Sequence, residues 1–74
     1  MVSINMTNTG KNIKRLIDNK NISVKDLSDK FGFDRSTYIY KWIRGEALPS
    51  IDNLFNLADI LNCTVDEIIV VDSF

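Results

Sequence analysis

Thr37, Tyr40, Lys41 and Arg44 recur at spacings of three and four. At ~100° per residue this puts them on one side of a helix. Two cations and two hydroxyls along one stripe can donate hydrogen bonds to phosphate oxygens and to the acceptor edges of bases. Ile39, Trp42 and Ile43 fall on the opposite side, so an apolar back fixes which way the stripe points. Gly45 stands where a helix C-terminus accepts positive φ, and the element is predicted to end there. Catalytic chemistry has no comparable constellation. The chain has no His, no Gly-rich phosphate loop and no nucleophile–base pair, and an enzyme is not expected.

The elements that must position this stripe follow from periodicity. Val24, Leu27, Ser28 and Phe31 form an i, i+3, i+4, i+7 stripe closed by Gly32, with Ser23 as N-cap and Asp26 three residues on. Two short helices joined by a turn containing Gly make a helix-turn-helix over about residues 23–44, the second helix spanning about 35–44. Ser28 is small where the two helices cross, and Phe33 is expected under the turn. Upstream, Ile13, Leu16 and Ile17 define the inner face of a first helix from Lys11 to Lys20, with Lys11, Lys14, Arg15 and Asp18 outward. Thr9-Gly10 is expected to precede that helix, and Val2, Ile4 and Met6 alternate as a strand does. Downstream, Glu46 to Pro49 reads as a loop. Ser50 caps a fourth helix to about Leu61, with Ile51, Leu54, Leu57, Ala58 and Leu61 inward. Thr64-Val65-Asp66-Glu67 is a capping box that opens a short fifth helix ending at Ile68 or Ile69. Neither terminus is long enough for a hairpin of its own, so residues ~3–6 are expected to pair with ~69–72. The fold class expected is a mostly α, five-helix bundle with a small two-stranded sheet from the termini, one domain over residues 1–74.

Composition narrows the partners. Cys63 is the only cysteine, so an internal disulfide is impossible and a metal site is not expected. No cofactor or small-molecule ligand is evident. No apolar run approaches the ~18 residues of a membrane span, and there is no secretory h-region; a reducing cytoplasm is the expected location. The net charge is −1, which taken alone speaks against a polyanionic partner. Its distribution speaks for one. All nine Lys and Arg lie between Lys11 and Arg44, where residues 1–45 hold four acids and carry +5; residues 46–74 hold six acids and no base, and carry −6. One end of such a charge dipole faces a polyanion while the other stays in solvent.

The stretches Leu27-Ser28-Asp29-Lys30-Phe31-Gly32 and Tyr40-Lys41-Trp42-Ile43-Arg44-Gly45-Glu46-Ala47-Leu48-Pro49-Ser50-Ile51-Asp52-Asn53-Leu54 resemble the Cro/CI-type (XRE-type) helix-turn-helix regulators of bacteria and phage. Leu57-Ala58-Asp59-Ile60-Leu61 and Val65-Asp66-Glu67-Ile68 continue the pattern, and the resemblance covers residues 10–69. It implies a DNA-binding transcriptional regulator, a repressor, working as a homodimer on double-stranded DNA. Carried over position by position, Ser36, Thr37 and Lys41 are the base-reading residues. Tyr38 and Tyr40 reach phosphate through their hydroxyls, with plain solvent exposure the alternative for Tyr40. Lys25, Arg35 and Arg44 fix register on the backbone, and Ser23 opens a helix whose free N–H groups face a phosphate.

Three departures from the family pattern stand out. Gly32 to Trp42 is one residue longer than its commonest spacing, which leaves the recognition register open by one residue. Glu46 occupies a position where relatives often carry a base. Ile17 and Ile43 stand where many relatives carry an Arg–Glu pair. Glu46 and the acidic balance keep a second reading open, a protein-interaction module such as an antirepressor or regulatory subunit that retains the fold. The dimer contact is open between helix five and the terminal strands.

Overall fold

A computed structural model describes all residues 1–74. The chain runs β1 (Val2–Ile4), α1 (Met6–Asn19), α2 (Val24–Phe31), α3 (Thr37–Ile43), α4 (Ile51–Leu61), α5 (Val65–Ile68) and β2 (Val71–Ser73). Side-chain caps set four of the five helix starts: Asn5, Ser23, Ser50 and Thr64 each accept a hydrogen bond from the N–H three residues on, satisfying a donor the helix leaves free. Left-handed residues set the ends of α1, α2, α3 and α4, at Asn21, Gly32, Gly45 and Asn62. After α3 the Gly45 N–H bonds the Trp42 carbonyl at 3.1 Å and the Glu46 N–H bonds the Lys41 carbonyl at 2.9 Å, the paired closure of a Schellman motif.

Nine apolar side chains drawn from all five helices form one buried cluster: Ile13 and Ile17, Leu27, Ile39 and Trp42, Leu57, Ala58 and Leu61, and Ile68. Each fully buried Ile or Leu contributes about 1.5–3 kcal/mol by leaving water. Thr9 and Ser28 are the two buried polar side chains, and both are hydrogen-bonded. The expected Arg–Glu pair of relatives is replaced by apolar burial: Ile17 lies in the cluster and Ile43 packs at its edge.

The first helix starts five residues earlier than its periodicity predicts. Asn5 accepts the Asn8 N–H at 2.8 Å, so Met6 enters the helix and the alternation stops at Ile4. Thr9 and Gly10, expected ahead of the helix, lie inside it and are buried. Both are poor helix formers, and tertiary contacts offset that deficit. Thr9 Oγ1 accepts the Val70 N–H at 2.9 Å and donates to the Val70 carbonyl at 3.3 Å. Asn12 Nδ2 donates to the carbonyls of Glu67 and Ile68 at 2.6 and 2.9 Å, two groups that the end of α5 leaves free. Gly10 meets α3 backbone to backbone: a Cβ there would lie 2.3 Å from the Ile43 carbonyl oxygen and 2.5 Å from that of Trp42.

The terminal sheet forms, displaced from the predicted residues. The strands are antiparallel, pairing Val2 with Ser73, Ser3 with Asp72 and Ile4 with Val71. Asn5 and Val70 stand just past the strand ends, still joined by the Asn5 N–H to the Val70 carbonyl at 2.8 Å, while the Val70 N–H turns to Thr9 Oγ1. Ile51, expected inward, is exposed; the side of α4 that meets the core is the one carrying Leu54, Leu57, Ala58 and Leu61. Phe55, one turn on, is exposed as well.

Gly10→Ala is expected to cost about 1–3 kcal/mol, because two backbone carbonyls and not a pliable side chain oppose the new methyl. At about 4–8 °C per kcal/mol for a domain of this size, calorimetry reads it as a clear fall in Tm. An unchanged Tm would show that α1 and α3 separate freely.

Candidate nucleic-acid interface

Three sets of contacts aim α3. The Gly10 crossing holds its C-terminal half against α1. The Ser28 hydroxyl donates to the Arg35 carbonyl at 2.8 Å, tying α2 to the turn before α3. Phe33 sits at the centre of an aromatic group. Its ring stacks on Phe31 at 5.2 Å, meets Tyr38 at 5.1 Å and meets Trp42 edge-on at 6.0 Å, contacts worth about 0.5–1.5 kcal/mol each beyond area burial. The turn residue expected to tuck under therefore joins both helices. Ser28, small for packing, also carries a bond that no spacing announces.

The side chains predicted to face a ligand separate into groups. Thr37, Tyr38, Tyr40, Lys41 and Arg44 are exposed along α3, opposite the buried Ile39 and Trp42. Arg35, Thr37, Tyr38 and Lys41 line one open cleft of about 440 Å³ with Gly32, Phe33 and Asp34. Ser36 stands at the N-cap of α3. The helix, expected from about residue 35, begins at Thr37, and the Arg35 carbonyl that precedes it accepts the Ser28 hydroxyl. Ser36 is half-buried, makes no side-chain cap bond and is not among the residues that line the cleft.

Charge on this face is partly neutralised. Arg44 Nε is ion-paired with Glu46 Oε2, a partner that the Schellman closure places beside it. Lys25 Nζ lies 3.1 Å from Asp29, one helical turn away. Both pairs are exposed and so are weak, about 0–1 kcal/mol. Arg35 and Lys41 enter no ion pair and keep their full donor capacity. At the start of α2 the Ser23 side chain accepts the Asp26 N–H at 3.0 Å, while the N–H groups of the first helical residues have no intrahelical partner.

No group of three or more His, Cys, Asp or Glu side chains is arranged to hold a metal ion, and no helix is long and apolar enough to cross a membrane. Burial pushes the Cys63 thiol above its ordinary value and the Glu67 carboxylate adds to the rise, against a smaller opposing pull from Lys20. Cys63 is thereby kept as the weakly nucleophilic thiol.

Two helices joined by a pinned turn, the second exposing hydroxyls and cations, define a helix-turn-helix protein. A model of the helix-turn-helix (HTH_3) family matches residues 13–68, and the chain belongs to this family of Cro/CI (XRE) type, whose members are DNA-binding transcriptional regulators. Comparison with curated proteins and with solved structures gives no match.

The two ends of the exposed stripe are expected to behave differently. Lys41→Ala should cost roughly 1–3 kcal/mol on a selected duplex and relax preference at one base position. Arg44→Ala should weaken all duplexes alike and flatten the salt slope by about one unit. Titration of both variants on selected and random DNA checks this; equal losses on the two DNAs for Lys41→Ala would remove it from base reading. Glu46→Gln should act in the opposite sense, freeing Arg44. Affinity for random DNA then rises and the salt dependence steepens by up to about one unit, measured by the same titrations.

Proposed function

We propose that the chain is a sequence-specific repressor that binds double-stranded DNA as a homodimer, with α3 in the major groove. The observation that carries this is the orientation of α3. Its apolar side is held by α1, α2 and the core, and its free side presents Thr37 and Lys41 with no competing ion pair. Lys41 donates to guanine O6 or N7, and Thr37 reaches a base acceptor or packs its methyl on that of thymine. Ser36, half-buried at the helix start, supports the approach of Thr37 and reads less than its position in the family pattern implies.

Backbone contacts fall to the flanks. Arg35 lines the cleft without an ion-pair partner, Tyr38 packs on Phe33 and stays exposed, and Tyr40 is exposed along the stripe. Ser23 and the open N–H groups at the start of α2 take one phosphate, with the helix dipole favouring the negative charge. Lys25 and Arg44 join by exchanging a carboxylate for a phosphate. That exchange makes them weaker contributors to non-specific affinity than unpaired cations. Repression follows from occupancy of a site that overlaps a promoter.

Selection from random duplexes at low salt, followed by binding across a salt series, tests the reading. A single enriched motif is expected, with log K falling linearly in log salt for the selected and random duplexes and the selected one held more tightly throughout. The paired state of Arg44 and Lys25 favours a second reading, a module that binds another protein through this fold. No enrichment, with binding no tighter than to random DNA, would replace the first reading by the second.

A further inference from the structure

We propose that two copies of the chain join through the outer edge of β1, as an antiparallel β1–β1′ ladder with Ser3 on the two-fold axis. The proposal rests on the homodimer above and assigns its contact.

The intrachain ladder decides which groups are free. The Phe74 N–H donates to the Met1 carbonyl and the Asn5 N–H to the Val70 carbonyl, each at 2.8 Å. With the observed register, the pairs Met1/Phe74, Ser3/Asp72 and Asn5/Val70 therefore turn their backbone groups inward. In an antiparallel pair the alternate residues turn theirs outward. On β1 these are Val2 and Ile4, and on β2 Val71 and Ser73. Both outer edges are consequently unpaired, which is the template on which a further strand adds.

Charge chooses between the edges. Joining two copies of β2 through Val71 and Ser73 would place Asp72 on the axis, directly opposite its own copy, at the close non-hydrogen-bonded spacing where like charges repel. Joining two copies of β1 through Val2 and Ile4 places uncharged Ser3 there instead. Residues 2–4 contain no charge and no proline, the usual guards of an edge strand. In this arrangement Val2 and Ile4 each exchange two backbone hydrogen bonds with Ile4′ and Val2′. Their side chains share one face with Val71, and all three are about half exposed in the single copy, at 65, 45 and 48 %. The four-stranded order becomes β2–β1–β1′–β2′, which removes the open edge of β1 and sets the Val2 and Ile4 side chains against each other across the axis. A contact this small lies below the ~1,200 Å² of a standard interface. The dimer is thus weak and concentration-dependent in free solution, and two half-sites on one duplex complete it by raising the effective concentration.

The test uses the full chain without DNA, so that it stands apart from the DNA reading: a dimer with no enriched motif would sink only the latter. Sedimentation equilibrium over a concentration series, under reducing conditions, is run on the wild type and on Ser3→Lys. The new Lys lies opposite Asp72 within its own chain, which favours the intrachain ribbon, and opposite a second Lys across the axis. At least about tenfold weaker association with an unchanged Tm is expected. The second arm is Ser3→Cys in a Cys63→Ala background. A non-hydrogen-bonded antiparallel pair has Cα atoms ~4.5 Å apart, within the span of a disulfide. Mild oxidation should therefore cross-link it about tenfold faster or more than Ser73→Cys in the same background. Cross-linking of Ser3→Cys no faster than of Ser73→Cys, or association of Ser3→Lys equal to that of the wild type, would overturn the proposal and leave the β1 edge to another occupant.

Discussion

The fold depends on a close crossing between α1 and the end of α3. Only a residue without a Cβ lets the α1 backbone lie against the Trp42 and Ile43 carbonyls. Gly45 repeats the constraint from the other side. It takes a left-handed φ of 73°, and a Cβ on it would lie 2.9 Å from the Cα of Thr7. The first turns of α1 and the last turn of α3 thus share one tightly packed contact. Helix propensity argues against Gly10 in a helix interior, at roughly 1 kcal/mol relative to Ala, and the crossing outweighs it. Everything that faces outward on α3 inherits its direction from this contact.

A second constraint holds the turn. The Ser28–Arg35 hydrogen bond and the Phe33 aromatic group join α2 to α3 through a buried hydroxyl and through ring packing. Satisfied buried hydroxyls specify one geometry, since a displaced turn would leave the Ser28 donor unpaired at a cost of about 1–3 kcal/mol. The same residues that shorten α3 at its start present Thr37 and Lys41 at the mouth of the cleft. The side chains that hold the turn thereby also fix which hydroxyl stands exposed at the start of α3.

Carboxylates beside the basic stripe modulate it at close range. Glu46 reaches Arg44 because the helix closure after α3 turns the chain back, and Asp29 reaches Lys25 along α2. Pairing of cations at the rim of the stripe leaves Arg35 and Lys41 as the unpaired cations of the helix-turn-helix face. Each such pair lowers the positive field that the stripe presents to solvent. At the opposite end, Thr9 and Asn12 of α1 hold the carbonyls and the N–H of residues 67–70, which docks the last strand beside the first.

Much was legible in the sequence because it is encoded locally. Ser23, Ser50 and Thr64 announce helix starts, and Gly32, Gly45 and Asn62 stand at helix ends. The spacing of Ile39 and Trp42 identifies the buried side of α3, and with it the exposed Thr37, Lys41 and Arg44. The β-branched ends announce a small sheet. What the sequence could not disclose lies between residues far apart in the chain. Thr9 and Gly10 read as helix breakers until Val70 and the Ile43 carbonyl are placed against them. Asn5 reads as part of a strand until its side chain caps α1, and Ile51 reads as core until the face it shares with Phe55 is seen to be exposed. Local propensities are worth tenths of a kcal/mol to about one per residue, and long-range contacts that satisfy buried groups exceed them wherever the two disagree.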